Sequence, residues 1–153
     1  LAFGQANMIA SPVQMAMVAA TVANHGVLMQ PHLVDKVLAP NGSVVHRVRP
    51  HKVRRAISPQ TADELKQMME TVVTGGTATN IHIPGITIAG KTGTAETGLN
   101  GKYDTWFIAF APAEKPTVAV AVALENQTGF GATTAGPIAQ AIMEPILQPK
   151  ANR

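Results

Sequence analysis

The segment Ala89-Gly90-Lys91-Thr92-Gly93-Thr94-Ala95-Glu96 gathers one ammonium, two hydroxyls and two glycines within a few positions. Gly90-Lys91-Thr92 invites comparison with a phosphate-binding loop, which must open a helix. Gly93 and the β-branched Thr92 and Thr94 argue against a helix start, so a strand is the better reading. On a strand, Lys91 and Gly93 share one face and Thr92 and Thr94 share the other. Gly93 has no side chain, so a ligand backbone can lie close to it. If the strand is at a sheet edge, its unpaired N–H and C=O groups can bind a peptide as an added strand. Lys91 would attract a carboxylate and the threonine hydroxyls would hydrogen-bond it. Alternation puts Lys91 and Thr92 on opposite faces, so both reach one ligand only beside an edge. The bland alternative is a solvent-facing strand with a stray lysine, and the tripeptide alone is a weak signal.

Other chemistry is sparse. There is no cysteine, which excludes disulfides, thiol nucleophiles and cysteine–zinc sites. His25, His32, His46, His51 and His82 show no ligand-like pairing, so neither a metal nor any other cofactor is expected. Residues 46–55 carry five Lys or Arg. An anion or nucleic-acid patch is one reading. Without interleaved aromatics or a recognition helix, a solvated hairpin end leading into a loop is preferred, and no nucleic-acid partner is expected. Trp106 reads as core, Glu96 and Glu125 as surface positions near strand ends. The Gly- and Thr-rich stretch 127–136 is a loop that could border a cleft.

These residues need elements to hold them. Ser11, Pro12 and Gln14 form a capping-box start for a helix over about 12–24, apolar almost all round and so expected to be buried on several sides, with Gly26 ending it. Residues 27–50 look extended. Asn41-Gly42 signals a small hairpin, about 33–38 paired with 43–48. Ser58-Pro59 starts a second helix whose stripe is Ala62, Leu65, Met68, Met69, Val72 and Val73, with Gly75-Gly76 stopping it. Its methionines read as gap-filling core. Three strands follow, about 86–95, 105–111 and 117–125, joined by links short enough for antiparallel pairing. The third, Val-Ala-Val-Ala-Val-Ala-Leu from Val118, lacks polar alternation and is expected to be buried on both faces. A last helix spans about 134–147, with a stripe of Ile138, Ile142, Ile146 and Leu147. Pro145 should kink or end it early, and the tail 148–153 should fray. The fold class is α+β, an antiparallel sheet packed by helices.

The chain has 153 residues, 46% of them apolar, enough for a proper core. Only 14% are charged, against about 25% in typical domains, which hints that some surface faces other protein. The net charge of +3 does not demand nucleic acid. No apolar run approaches the roughly 20 residues a membrane helix needs. A start at Leu1 rather than Met leads us to expect a piece of something longer.

The ordered set of motifs resembles the C-terminal half of the transpeptidase domain of class B penicillin-binding proteins. The matching stretches are Gly4-Gln5, Ser11 to Ala16, Val22-Ala23-Asn24-His25-Gly26, Pro31, Gly76-Thr77-Ala78, Ala89 to Ala95, Trp106 to Pro112 and Ala135-Gly136-Pro137-Ile138. They cover nearly the whole chain in order, so residues 1–153 are expected to form the C-terminal portion of one such domain, a partial β-lactamase/transpeptidase-like fold. Lys-Thr-Gly is among the known motifs of that superfamily. The resemblance implies that Lys91-Thr92-Gly93 lines the cleft, that the Thr94 backbone N–H is one oxyanion donor, and that Thr92 and Thr94 hydroxyls hold the terminal carboxylate of a stem peptide or a β-lactam. Lys91 would shape the cleft potential and help move protons.

The family also needs Ser-x-x-Lys for the nucleophile and its base and Ser-x-Asn for proton relay. Ser11, Ser43 and Ser58 are the only serines and none sits in either motif. The nucleophile is therefore expected upstream, and this chain alone is expected to be inactive. The implied parent is a peptidoglycan D,D-transpeptidase at the outer face of the cytoplasmic membrane, anchored by an N-terminal helix outside this chain. The alternatives are a carboxypeptidase or β-lactamase of the same fold and a non-catalytic penicillin-recognising module. The strand 117–125 is expected to pair with an upstream strand. Its open edge makes the missing N-terminal half, or a second copy, the expected partner.

Overall fold

The computed structural model describes residues 9–148. The stretch Gly4-Gln5 and the tail beyond Gln148 lie outside the described residues. A three-stranded antiparallel sheet forms the centre: β5 (Ala89–Glu96), β6 (Tyr103–Ala111) and β7 (Val118–Gln127), in that order. Each pairs with its neighbour in sequence, as short links dictate. The register sets Gly93 opposite Trp106 and Thr92 opposite Phe107, and Phe107 opposite Val122.

Register divides the sheet into two packed faces. On one, Phe107, Ala109, Val120 and Val122 meet α3 (Ala135–Leu147) through Ala135, Ala139 and Met143, with Ile81, Ile83 and Ile88 closing the layer. On the other, Ala89 and Phe110 meet α1 (Pro12–Ala23) through Ala19 and Val22, and α2 (Pro59–Thr74) through Met69. Phe107 and Phe110, one on each face, are fully buried.

Both helix starts form as their local sequences dictate. Ser11 accepts from the Gln14 N–H at 3.3 Å and the Gln14 side chain accepts from the Ser11 N–H at 2.8 Å, closing the capping box. Ser58 accepts from the Thr61 N–H at 3.0 Å. After α1 the chain turns through His25 and Gly26, both at positive φ (49° and 81°). Only glycine fits at 26, because a methyl group there would fall on the Ile57 carbonyl oxygen.

Several expectations are corrected. The first helix is not buried on several sides: Val13 and Val18 are exposed, and its buried positions are Ala19, Thr21 and Val22. Met68 points to solvent while Met69 is core. The basic run is a hairpin end and a loop only as far as residue 51: Lys52–Arg55 is a further strand, β4, paired antiparallel with β1 (Val27–Met29), beside the expected hairpin of β2 (Lys36–Leu38) and β3 (Val44–Arg47). β7 buries Val120 and Val122 on one face and half-buries the alanines between them, so it is not buried on both.

The last helix turns its small residues inward. Ile138, Ile142 and Ile146 are exposed, and Ala135, Gly136, Ala139 and Met143 face the sheet. Close approach explains this, since a methyl group on Gly136 would come 2.7 Å from Ile81 Cδ1. Pro145 lies within the last turn, and the helix continues through it to Leu147.

Candidate active site

β5 is a margin strand of the sheet, with β6 on one side and no strand on the other among the described residues. α2 packs against its Ala89–Gly90 end, where a methyl on Gly90 would meet Val73. Beyond that point Lys91 and Glu96 are exposed and Thr92, Gly93, Thr94 and Ala95 are half-buried. Gly85, four residues and then Gly90-Lys91-Thr92 have the phosphate-loop spacing. Residues 89–96 are strand and no helix opens there, so that pattern lacks the context it requires.

Lys91 curls along the margin, its Nζ donating to the Thr92 carbonyl at 2.6 Å. An ammonium can reach that oxygen only on the side away from β6. Antiparallel alternation turns the backbone N–H and C=O of Thr94 the same way. The Thr94 N–H is thus a donor aimed off the sheet, next to a cation.

The hydroxyls on the other face are held from outside the strand. Thr77, in the loop after α2, lies 3.0 Å from Thr92 through the two Oγ1 atoms. Thr94 Oγ1 accepts from the Gly131 N–H at 3.3 Å. One proton of the Thr77–Thr92 pair bridges the two oxygens and one stays free. Thr94 accepts, so its own proton is also free. Two hydroxyl donors therefore remain for a ligand, which matches the two oxygens of a carboxylate.

The loop 127–134 covers the strand pair directly above Gly93. A methyl on Gly131 would fall on the Trp106 carbonyl oxygen and 2.6 Å from that of Gly93. The loop is fixed by Asn80, whose amide donates to the Ala132 carbonyl at 2.8 Å, and by Thr134, whose hydroxyl lies 2.8 Å from the buried Thr105 hydroxyl. At its tip Phe130 stacks on Tyr103, ring centroids 6.2 Å apart. The glycine-rich loop thus borders the motif, as read from the sequence. Trp106 does not join the core. It lies half-buried on the Lys91–Gly93 face, its Cβ 3.0 Å from where a Gly93 methyl would be. Glu96 and Glu125 are exposed.

The structure brings Lys91, Thr92, Gly93 and Thr94 together along one accessible margin. Thr77, in the stretch Gly76-Thr77-Ala78 that carries the family resemblance, also reaches the motif, a contact with no signal in the sequence.

Residues 1–144 match the family described as the penicillin binding protein transpeptidase domain. The chain belongs to this family. Among curated relatives, the peptidoglycan D,D-transpeptidase PbpA of Mycobacterium tuberculosis is 40% identical over 155 aligned residues, spanning 95% of this chain and 31% of the relative. Stage V sporulation protein D of Bacillus subtilis is 36% identical, across 95% of this chain and 24% of the relative. Of solved structures, penicillin-binding protein A from M. tuberculosis in its imipenem acyl-enzyme complex superposes with a TM-score of 0.85 at 41% identity, over 95% of this chain and 32% of that one. The penicillin-binding protein 2B of Streptococcus pneumoniae gives 0.79 at 27% identity, over 94% and 26%. The chain thus spans about a third or less of the length of these relatives. The α+β architecture is that of the transpeptidase family.

Proposed function

We propose that the protein containing this chain is a peptidoglycan D,D-transpeptidase, to which the chain contributes the Lys-Thr-Gly wall of the active site. The observation that carries this is the margin of β5, along which one backbone N–H, one ammonium and the hydroxyls of Thr92 and Thr94 lie within four consecutive residues. The relatives, one of them seen as a β-lactam acyl-enzyme, support the same reading.

In this reading a serine supplied by sequence outside this chain attacks the carbonyl of the penultimate D-alanine of a stem peptide. The Thr94 N–H is one donor to the oxyanion; such a donor is worth about 10²–10³ in rate. The bond to the terminal D-alanine breaks, that residue leaves with a proton, and an acyl-serine ester remains. An amine of a second stem peptide then attacks the ester, forming the cross-link and returning the serine hydroxyl. Thr92 and Thr94 hold the terminal carboxylate before it leaves, as they would hold that of a β-lactam. Lys91 contributes positive potential and a proton route. The reaction belongs on the extracytoplasmic face of the membrane, with the anchor outside this chain. Among the described residues no helix is long and apolar enough to cross a membrane.

Fluorescent penicillin tests the proposal. The full-length protein should label covalently and this chain alone should not. Labelling of the isolated chain would overturn the assignment of the nucleophile to sequence outside it. Cross-linked product formed only with an amine acceptor separates transpeptidation from hydrolysis to water.

A further inference from the structure

Charge is distributed unevenly along the chain. Residues 36–62 carry six Lys or Arg and no Asp or Glu. The remaining six basic and nine acidic residues leave −3 elsewhere, so a +6 segment projects from a net-acidic body. Within it, every residue of β2, β3 and β4 is exposed. Lys36 lies directly opposite Arg47, a like-charge pair that disfavours the ribbon. Asp35 offsets Arg47 at 3.3 Å, and Arg55 donates to the His25 carbonyl at 2.7 Å. Lys36, Arg49, Lys52 and Arg54 have no carboxylate partner among the described residues.

Two further features accompany the charge. Val37, Leu38, Val44, Val45 and Val53 are each about half exposed or more, set among the cations. The ribbons are two-stranded, so the outer margin of β4 pairs with no strand among the described residues, and isolated ribbons of this kind are marginal in water. A plain polyanion would use only the cations. An anionic lipid surface would use the cations and the aliphatic side chains. An extended protein segment with acidic and aliphatic residues in alternation would use both, and the open margin as well.

We propose that the outer margin of β4 is a docking site for such a segment of a partner protein, added as a third strand. Lys52 and Arg54 meet its carboxylates, and Val53, the extra residue of the bulge between them, meets an aliphatic side chain. The site is independent of the chemistry at β5.

The test uses the full-length protein and a labelled peptide alternating Glu and Val, read by fluorescence anisotropy. The peptide should bind saturably. The K52E/R54E double variant should weaken binding at least about tenfold, while its labelling by fluorescent penicillin stays unchanged and so reports an intact fold. The same peptide with N-methylated backbone amides should not bind, because it cannot pair as a strand. Equal binding of the N-methylated peptide, of polyphosphate, or of anionic phospholipid vesicles would overturn the proposal. So would unchanged binding by the double variant, or self-association through this margin in light scattering.

Discussion

At the scale of single residues, the site rests on how few protons its hydroxyls have to share. Thr77 and Thr92 use one proton between them, and Thr94 spends a lone pair on Gly131 rather than its proton. Replacing Thr92 or Thr94 by Val removes a hydroxyl that the proposed function assigns to a ligand carboxylate. Hydrogen bonds to charged groups are worth about 1.5–3 kcal/mol. The second-order acylation rate of the full-length protein by penicillin should therefore fall roughly ten- to hundredfold. Thr77→Val should give a smaller loss, because Thr92 keeps its own hydroxyl and loses only its orientation. Rates equal to the parent's in all three would remove the carboxylate from this wall. Gly131→Ala tests the loop above it. The added methyl has carbonyl oxygens on two sides, which cannot retreat without moving the β5–β6 pair. A loss of about 1–3 kcal/mol in urea unfolding is expected. Lys91, Thr92 and Thr94 were legible because they are adjacent and of unusual type. Thr77 was not, because its approach to Thr92 depends on how the loop after α2 folds back over β5.

At the scale of elements, local signals were readable and packing distances were not. Ser11 and Ser58 cap their helices through bonds confined to one turn. Ser58→Ala should cost about 1 kcal/mol, measured by thermal or chemical melting, and Ser11→Ala a similar amount. No change in either would mean that tertiary packing alone fixes these starts. The inward face of α3 was misread for a physical reason. Periodicity marks an isoleucine stripe and an alanine–glycine stripe equally well. Which one turns inward depends on how near the helix comes to the sheet, and that distance is absent from the sequence. The structure puts Ala139 at full burial and leaves Ile142 partly exposed. Ala139→Ile should accordingly destabilise the chain by about 1–3 kcal/mol through overpacking. Ile142→Ala should stay within about 0.5 kcal/mol in this chain. The reverse order in denaturant midpoints would restore the isoleucine face as the packed one. β4 was missed because a run of like charges is a poor strand signal, and β1, within the stretch read as extended, was left without its partner. The ladder is set instead by the turn at His25–Gly26 and by Ala56 donating to the Gly26 carbonyl at 2.8 Å.

At the scale of the whole molecule, the open question of the fold is β7. Among the described residues it is the other margin of the sheet, it is long, and it runs Val-Ala-Val-Ala-Val-Ala-Leu before its first charge at Glu125. No proline interrupts it and no lysine guards it, the devices that ordinarily keep such a margin from pairing with another chain. Beside its start, a groove of about 720 Å³ runs between α1, β1 and β7, lined largely by apolar residues such as Met17, Ala20, Leu28 and Val118. A margin and an adjoining groove of this character are what a sheet presents where further strands and their cover are to be added. We expect this chain, produced alone, to sediment as dimers or larger species, and to form a one-to-one complex when the rest of its transpeptidase domain is supplied in trans. That complex should regain penicillin labelling if the added half brings the nucleophile to the β5 wall. Sedimentation or light scattering at high concentration decides the matter. A single monomeric species, unchanged on adding the other half, would mean that β7 is not a pairing margin and that the sheet is complete at three strands.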